Sequence, residues 1–209
     1  MTLIIIITTA IVSFAAFRNE KVMNDLIFYP PAVTVNKQYY RFVTCGFIHA
    51  DIMHLAFNML SLYFFSDVET IFGMIFGDSG RLLFLTMYLL SLIVSLLPTY
   101  FKNRNNYHYR SLGASGAVSA VVFAGIMLAP TAKMGLFFIP PIIPGFIFGP
   151  LYLLFSAYLD RKGGDNINQS AHLWGALFGV AFLIVAGALS QKYNAIEMFV
   201  NGIRGYIGS

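Results

Sequence analysis

The chain has 209 residues, of which 11% are charged and 58% hydrophobic, and its mean hydropathy is +0.72. An ordinary soluble domain carries about a quarter charged residues, so a water-soluble globule is excluded: too little polar surface is available to cover it. The lone Cys45 rules out an intramolecular disulfide and a multi-cysteine metal site. The net charge of +4 is spread over the connections and forms neither a nucleic-acid-binding stripe nor a polybasic lipid anchor. Membrane lipid is therefore the expected surrounding and nucleic acid is not an expected partner.

Six stretches lack Asp, Glu, Lys and Arg: 1–17, 52–66, 82–101, 111–132, 134–159 and 166–191. Unpaired backbone groups are costly in hydrocarbon, so each stretch reads as an α-helix, and none alternates as a barrel strand does. The expected fold is an all-α polytopic bundle of six transmembrane helices. It occupies residues 1–190, with a short carboxy-terminal tail at 191–209.

The first stretch ends in small residues (Ser13, Ala15, Ala16), as a cleaved secretory signal does, but it lacks a basic amino-terminal region and reads as the first span. The second span is expected from near Asp51 past Glu69 toward Gly73, which sets Glu69 in the membrane or at its edge. The third, Leu82 to Phe101, stops at a polar loop of Lys102, Asn103, Arg104, Asn105 and Asn106.

The fourth span opens on Gly113-Ala114-Ser115-Gly116 and stops before Pro130. About 15 helical residues at 1.5 Å each give about 22 Å, short of a hydrocarbon core of about 30 Å. One end must lie beneath the membrane surface, where non-helical backbone needs protein or a water-filled cavity around it. Pro140, Pro141 and Pro144 make the start of the fifth stretch a loop, so its helix is expected at about 145–159. The connection from Asp160 to Gln169 contains Gly163 and Gly164, has only Ile167 as an apolar anchor, and reads as mobile. The sixth span follows from about Ser170 to Leu189. The tail, with Gly202, Gly205 and Gly208, shows little sign of a domain.

The candidate chemistry lies in three places. His49, His54 and Asn58 fall near the start of the second span, and His54 and Asn58, four apart, share a helix face on which their donors converge. Ser115 stands between Gly113 and Gly116, which permit close backbone approach. This is not the nucleophile elbow of soluble hydrolases, since Ala117 occupies that motif's last glycine position. His172 shares a face with Gly175 and Gly179, a pair that invites tight helix packing. If the packed neighbour is the fourth span, Ser115 and His172 meet as nucleophile and general base. His54, Asn58 and the Ser115 N–H would then surround the oxyanion. Neither Asp160 nor Asp165 offers an evident third acid, so a two-residue dyad is the economical reading.

Taken together, HxxxxHxxxN (His49, His54, Asn58), GxSG (Gly113 to Gly116) and AHxxGxxxG (Ala171, His172, Gly175, Gly179), in this order on six spans, resemble the rhomboid intramembrane serine proteases. The Tyr40-Arg41 pair, and Val68-Glu69 with Gly73, extend the likeness over about residues 1–190. The resemblance implies that Ser115 is the nucleophile and His172 the base and later acid. It further implies that His54, Asn58 and the Ser115 amide hold the oxyanion, with His49, Arg41, Glu69, Gly113, Gly116, Gly175 and Gly179 in support. The implied substrates are transmembrane proteins, cut in or near their membrane segments without a cofactor or metal. The fifth helix and the 160–169 loop are implied to form gate and cap. Many bacterial members place Tyr four residues after the nucleophile, stacked on the histidine; Ser119 holds that position here, so support for His172 has to come from elsewhere.

The family orientation implies a multi-pass protein of a prokaryotic plasma membrane whose site opens to the extracytoplasmic side. It leaves Arg81, Lys133, Lys192 and Arg204 inside and the other nine of 13 basic residues outside, against the usual positive-inside distribution. Two other functions compete. A proteolytically inactive relative that binds membrane helices is disfavoured by the presence of both serine and histidine, and a transporter using Glu69 by the lack of paired repeats. Nothing in the sequence specifies an oligomeric state.

Overall fold

The computed structural model describes residues 1–135, 141–163 and 167–208. The chain is mostly helical, in the order α1 (Thr2–Arg18), α2 (Glu20–Leu26), α3 (Pro30–Asn36), α4 (Arg41–Thr44), α5 (Ile52–Phe64), α6 (Asp67–Phe76), α7 (Gly80–Asn103), α8 (Ser115–Leu128), α9 (Gly145–Lys162), α10 (Gln169–Ser190) and α11 (Ala195–Ile207). A two-stranded antiparallel ribbon, β1 (Lys133–Met134) and β2 (Ile143–Pro144), precedes α9 and pairs Lys133 with Pro144.

The centre is α8. Its 14 residues are about 21 Å of helix, and all but a few are buried, from Gly116 to Val121 and from Phe123 to Met127. Helices α5, α6, α7, α9, α10 and α11 pack around it. A helix apolar on every side belongs inside a bundle. Among the described residues two stretches, 52–103 and 169–190, are long and apolar enough to cross a membrane, while α1 and α8 are apolar but shorter. The first of these folds back on itself, because the chain turns at Gly77 (φ +64°) and α6 packs against α7.

The tightest packing joins α8 to α10. A Cβ added at Gly175 would fall on the Gly116 carbonyl, and one at Gly179 on the Ala120 carbonyl. Gly116 in turn abuts Ser95 of α7, a buried small residue one turn from buried Ser91. Backbone therefore meets backbone along this seam, the arrangement expected where lipid supplies no hydrophobic drive for helix association.

Three sequence expectations change. The second span is not one helix: the chain breaks at Phe65 and Ser66, and α6 restarts with Asp67 and Glu69 in its first turn, where acidic groups favour a helix amino terminus. The 191–209 tail holds α11, whose Asn194 accepts from Glu197 N at 3.2 Å and donates Nδ2 to Glu197 Oε2 at 3.0 Å. That reciprocal cap was legible as Asn-x-x-Glu. Phe199 of α11 packs into the core and Gly202 faces Pro130. The helix after the proline-rich segment starts at Gly145 as expected, but runs on to Lys162. Pro140 lies outside the described residues.

Gly179→Ala is expected to lower stability by about 1–3 kcal/mol, the usual range for forcing a methyl into a filled interface. Gly205→Ala, where nothing lies within 4 Å of the added methyl, should hold or gain stability. Thermal unfolding of both variants in detergent micelles checks the contrast.

Candidate active site

The turn that delivers Ser115 is built on Gly113. Its φ is +112° and its N–H donates to Cys45 O at 2.9 Å, while Phe28 and Ser111 pair their backbones just upstream. A side chain at 113 would be excluded twice: the dihedral is open chiefly to glycine, and a Cβ would stand 2.7 Å from Cε1 and 2.8 Å from Nε2 of His54. Buried Ala114 caps α8 and Ser115 is its first residue, half-buried. The N–H groups of Ser115, Gly116 and Ala117 have no carbonyl within the helix to bond. They sit at the positive end of its dipole, where developing negative charge is favoured.

His49 is fully buried and its tautomer follows from its partners. Nε2 accepts the Ala114 N–H at 3.4 Å, so Nδ1 carries the proton and donates to Ser13 Oγ at 3.0 Å; Ser13 then donates to Phe47 O at 3.0 Å. One ring thus joins α1, the first loop and the residue before Ser115. Burial first, and then the neighbouring His54, push the His49 imidazole down to about 3 from 6.5, against a smaller opposing effect of Asp51. It is a neutral structural group.

His54 enters through the cap of α5, where Asp51 Oδ1 accepts the His54 N–H at 2.8 Å. Its ring lies edge-on to His49 with centroids 4.9 Å apart. Ala50 N–H reaches Nδ1 at 3.5 Å, which leaves Nε2 as the protonated nitrogen, facing Gly113. One turn on, buried Asn58 donates Nδ2 to His54 O at 3.0 Å and retains a second amide hydrogen. The shared face anticipated for His54 and Asn58 is present, and α5 packs on α8.

His172 is one turn before Gly175, so the Gly116 contact sets it at the Ser115 end of the α8–α10 seam; the Ala171 carbonyl lies 3.3 Å from where a Gly116 Cβ would be. The amino terminus of α10 is fixed by Asn168. Its Oδ1 accepts from Ala171 N and from Thr99 Oγ1, both at 3.1 Å, and Nδ2 donates to Ser111 Oγ at 3.3 Å. Asn168 is thus a polar anchor at the end of the 160–169 connection, whose one apolar candidate, Ile167, is exposed. Gly164 and Asp165 lie outside the described residues. Asn168 carried a signal, as a helix-capping residue type before an apolar run. Tyr152 carried none: its hydroxyl lies 3.3 Å from His172 Nδ1, delivered from α9.

The remaining two expected residues act away from this centre. Buried Arg41 donates to Gln38 Oε1 at 2.6 Å, Asn24 O at 2.9 Å and Ile27 O at 2.6 Å. It thereby satisfies carbonyls at the end of α2, a role suited to a cation with forked donors. Glu69 accepts from Thr2 N at 2.8 Å and Thr2 Oγ1 at 2.9 Å, so α6 caps α1.

The Rhomboid domain family model matches residues 36–188. The chain is 33% identical over 144 residues to "RHOMBOID-like protein 12, mitochondrial" of Arabidopsis thaliana, covering 64% of this chain and 42% of that protein. It is 34% identical over 144 residues to "Presenilin-associated rhomboid-like protein A, mitochondrial" of Danio rerio (68% and 36%). To "Presenilin-associated rhomboid-like protein, mitochondrial" of Homo sapiens it is 28% identical over 149 residues (70% and 38%). The chain spans less than half the length of these relatives. Their names overturn the expectation of a prokaryotic plasma membrane with an extracytoplasmic site: the relatives are mitochondrial proteins of plants and animals.

The depressed His49 value predicts a sign. Between 6.5 and about 3 the unfolded chain protonates this residue and the folded chain does not, so stability falls as pH drops through that window, by up to about 1.4 kcal/mol per pH unit. Unfolding midpoints from about pH 7 to about pH 4 should show a shallower decline in His49→Gln than in the wild type.

Proposed function

The chain belongs to the rhomboid family, and from that premise we propose that it is an intramembrane serine endopeptidase that cuts membrane-protein substrates in or near their transmembrane segments. The observation that supports this reading best is the backbone contact of Gly175 with Gly116, which aligns the turn of His172 with that of Ser115. The membrane domain is residues 1–190 with six crossings, carried by the six charge-free stretches. Because the relatives bear mitochondrial names, the membrane proposed is a mitochondrial one.

In this reading Ser115 Oγ attacks the scissile carbonyl carbon while His172 takes the hydroxyl proton. The carbonyl oxygen becomes the oxyanion and receives hydrogen bonds from the Ser115 N–H, His54 Nε2–H and the second amide hydrogen of Asn58. Preorganised donors of this kind usually lower the barrier more than any other single effect. Collapse breaks the C–N bond, and His172 gives its proton to the departing amine. Water then enters and its oxygen attacks the acyl carbon as His172 takes one of its protons; collapse breaks the bond from that carbon to Ser115 Oγ, His172 returns the proton to Oγ, and a carboxylic acid departs. The residues needed are all on this chain. The short α8 supports water access, because its amino terminus is set below the level a full span would reach.

The test is cleavage of fluorogenic transmembrane peptides by the purified protein in detergent, with fluorophosphonate labelling in parallel. Ser115→Ala and His172→Ala should each lose about 1,000-fold or more of kcat, with nearly equal losses because the two act as one unit. Labelling should vanish in Ser115→Ala. Undiminished turnover by Ser115→Ala would overturn the assignment. A folded wild type that neither cleaves nor labels would favour an inactive, helix-binding relative.

A further inference from the structure

Position 119, where many bacterial members of the family place tyrosine, holds a buried serine. The structure fills the deficit from a different helix. Tyr152 of α9 brings its hydroxyl to 3.3 Å from His172 Nδ1. Its ring is stacked with Phe148 (centroids 6.1 Å apart, planes at 22°) and tilted on Phe123 of α8 at 5.7 Å. Ser119, one turn before Phe123 on α8, and Ser156, one turn after Tyr152 on α9, are both buried.

A phenol has one proton to donate and lone pairs to accept with. If Ser119 or Ser156 takes that proton, the oxygen is left as an acceptor toward His172. We propose that Tyr152 is the positioning residue for His172, accepting from Nδ1–H and thereby holding Nε2 as the nitrogen that takes the Ser115 proton. The inference rests on the proteolytic reading above. It gives a neutral tyrosine the place that a buried aspartate occupies in a serine-protease triad, where the third group fixes tautomer and ring orientation. No proton leaves the phenol. During acylation the Ser115 proton moves to Nε2, and Nδ1–H stays on the Tyr152 oxygen as the imidazolium forms. Ser119 changes meaning accordingly: a small side chain there leaves room for the Tyr152 ring and offers an acceptor for its hydroxyl.

Tyr152→Phe tests this, since it removes only the oxygen and keeps the ring against Phe123 and Phe148. Expected is a kcat loss of about 10- to 100-fold with KM unchanged, smaller than the roughly 10,000-fold loss in a triad deprived of its aspartate because the phenol is uncharged. The acid limb of the kcat/KM profile should move to lower pH, because an acceptor at Nδ1 favours the charged imidazole and its removal disfavours it. A purely structural tyrosine would leave that limb in place. The pair Ser119→Ala with Ser156→Ala should shift it the same way, since the freed phenol proton then turns onto Nδ1 and favours the wrong tautomer. Rates within about twofold of wild type and an unmoved limb in both variants, with Ser115 still labelled, would overturn this inference alone. A wild type that neither cleaves nor labels would overturn it together with the proteolytic reading.

Discussion

The helices that carry Ser115 and His172 are held in register by one contact, the meeting of α8 and α10 backbones at Gly116 with Gly175 and Ala120 with Gly179. In lipid, two helices gain little by hiding apolar side chains from each other, so association depends on close packing, which small residues permit. The contact also sets register. With Gly175 locked on Gly116, the turn of His172 lies beside the turn of Ser115, and a slide of one helical turn would separate them by about 5.4 Å. Ser91 and Ser95 of α7, small and buried on the third side, let that helix close on α8 as well.

Around the Ser115 end of that seam the structure solves a solvation problem. A serine, three histidines, two asparagines and the open turn of a helix are gathered in a bundle that is otherwise apolar, and buried polar groups must find partners. The chain Ala114 N–H, His49, Ser13, Phe47 O runs without a gap and crosses three segments. Asn168 does the same for α10, α7 and the loop holding Ser111. Each side-chain nitrogen and oxygen in these networks has a partner, and satisfied polar networks rigidify a site rather than weaken it.

The histidines divide by environment. His49 has both ring nitrogens committed to groups that never change, and its burial keeps it neutral. His54 is oriented by its own helix cap and presents Nε2 to the Ser115 turn. His172 is half-buried and meets Tyr152 from the thinly packed α9, whose buried residues are only Gly145, Gly149 and Ser156. In the proposed mechanism, identical side chains therefore serve as strut, donor and proton carrier according to what surrounds them.

The sequence was most legible where physics acts locally. Charge-free stretches marked the apolar helices, Pro130 ended α8, and glycine spacing marked the face that α10 buries. The break between α5 and α6 and the capped α11 were missed, although Asn194 and Glu197 advertised the latter. Composition and spacing by themselves determined a lipid-surrounded helical chain, a short fourth helix beginning at Ser115, and one face shared by His172 and two glycines, because each follows from backbone geometry over a few turns. Only the tertiary structure decided that Tyr152 reaches His172, that Asn168 ties three elements, and that Arg41 holds the end of α2. Those contacts join residues 14 to 69 positions apart, and a hydrogen bond between distant segments exists only once packing has brought their helices side by side.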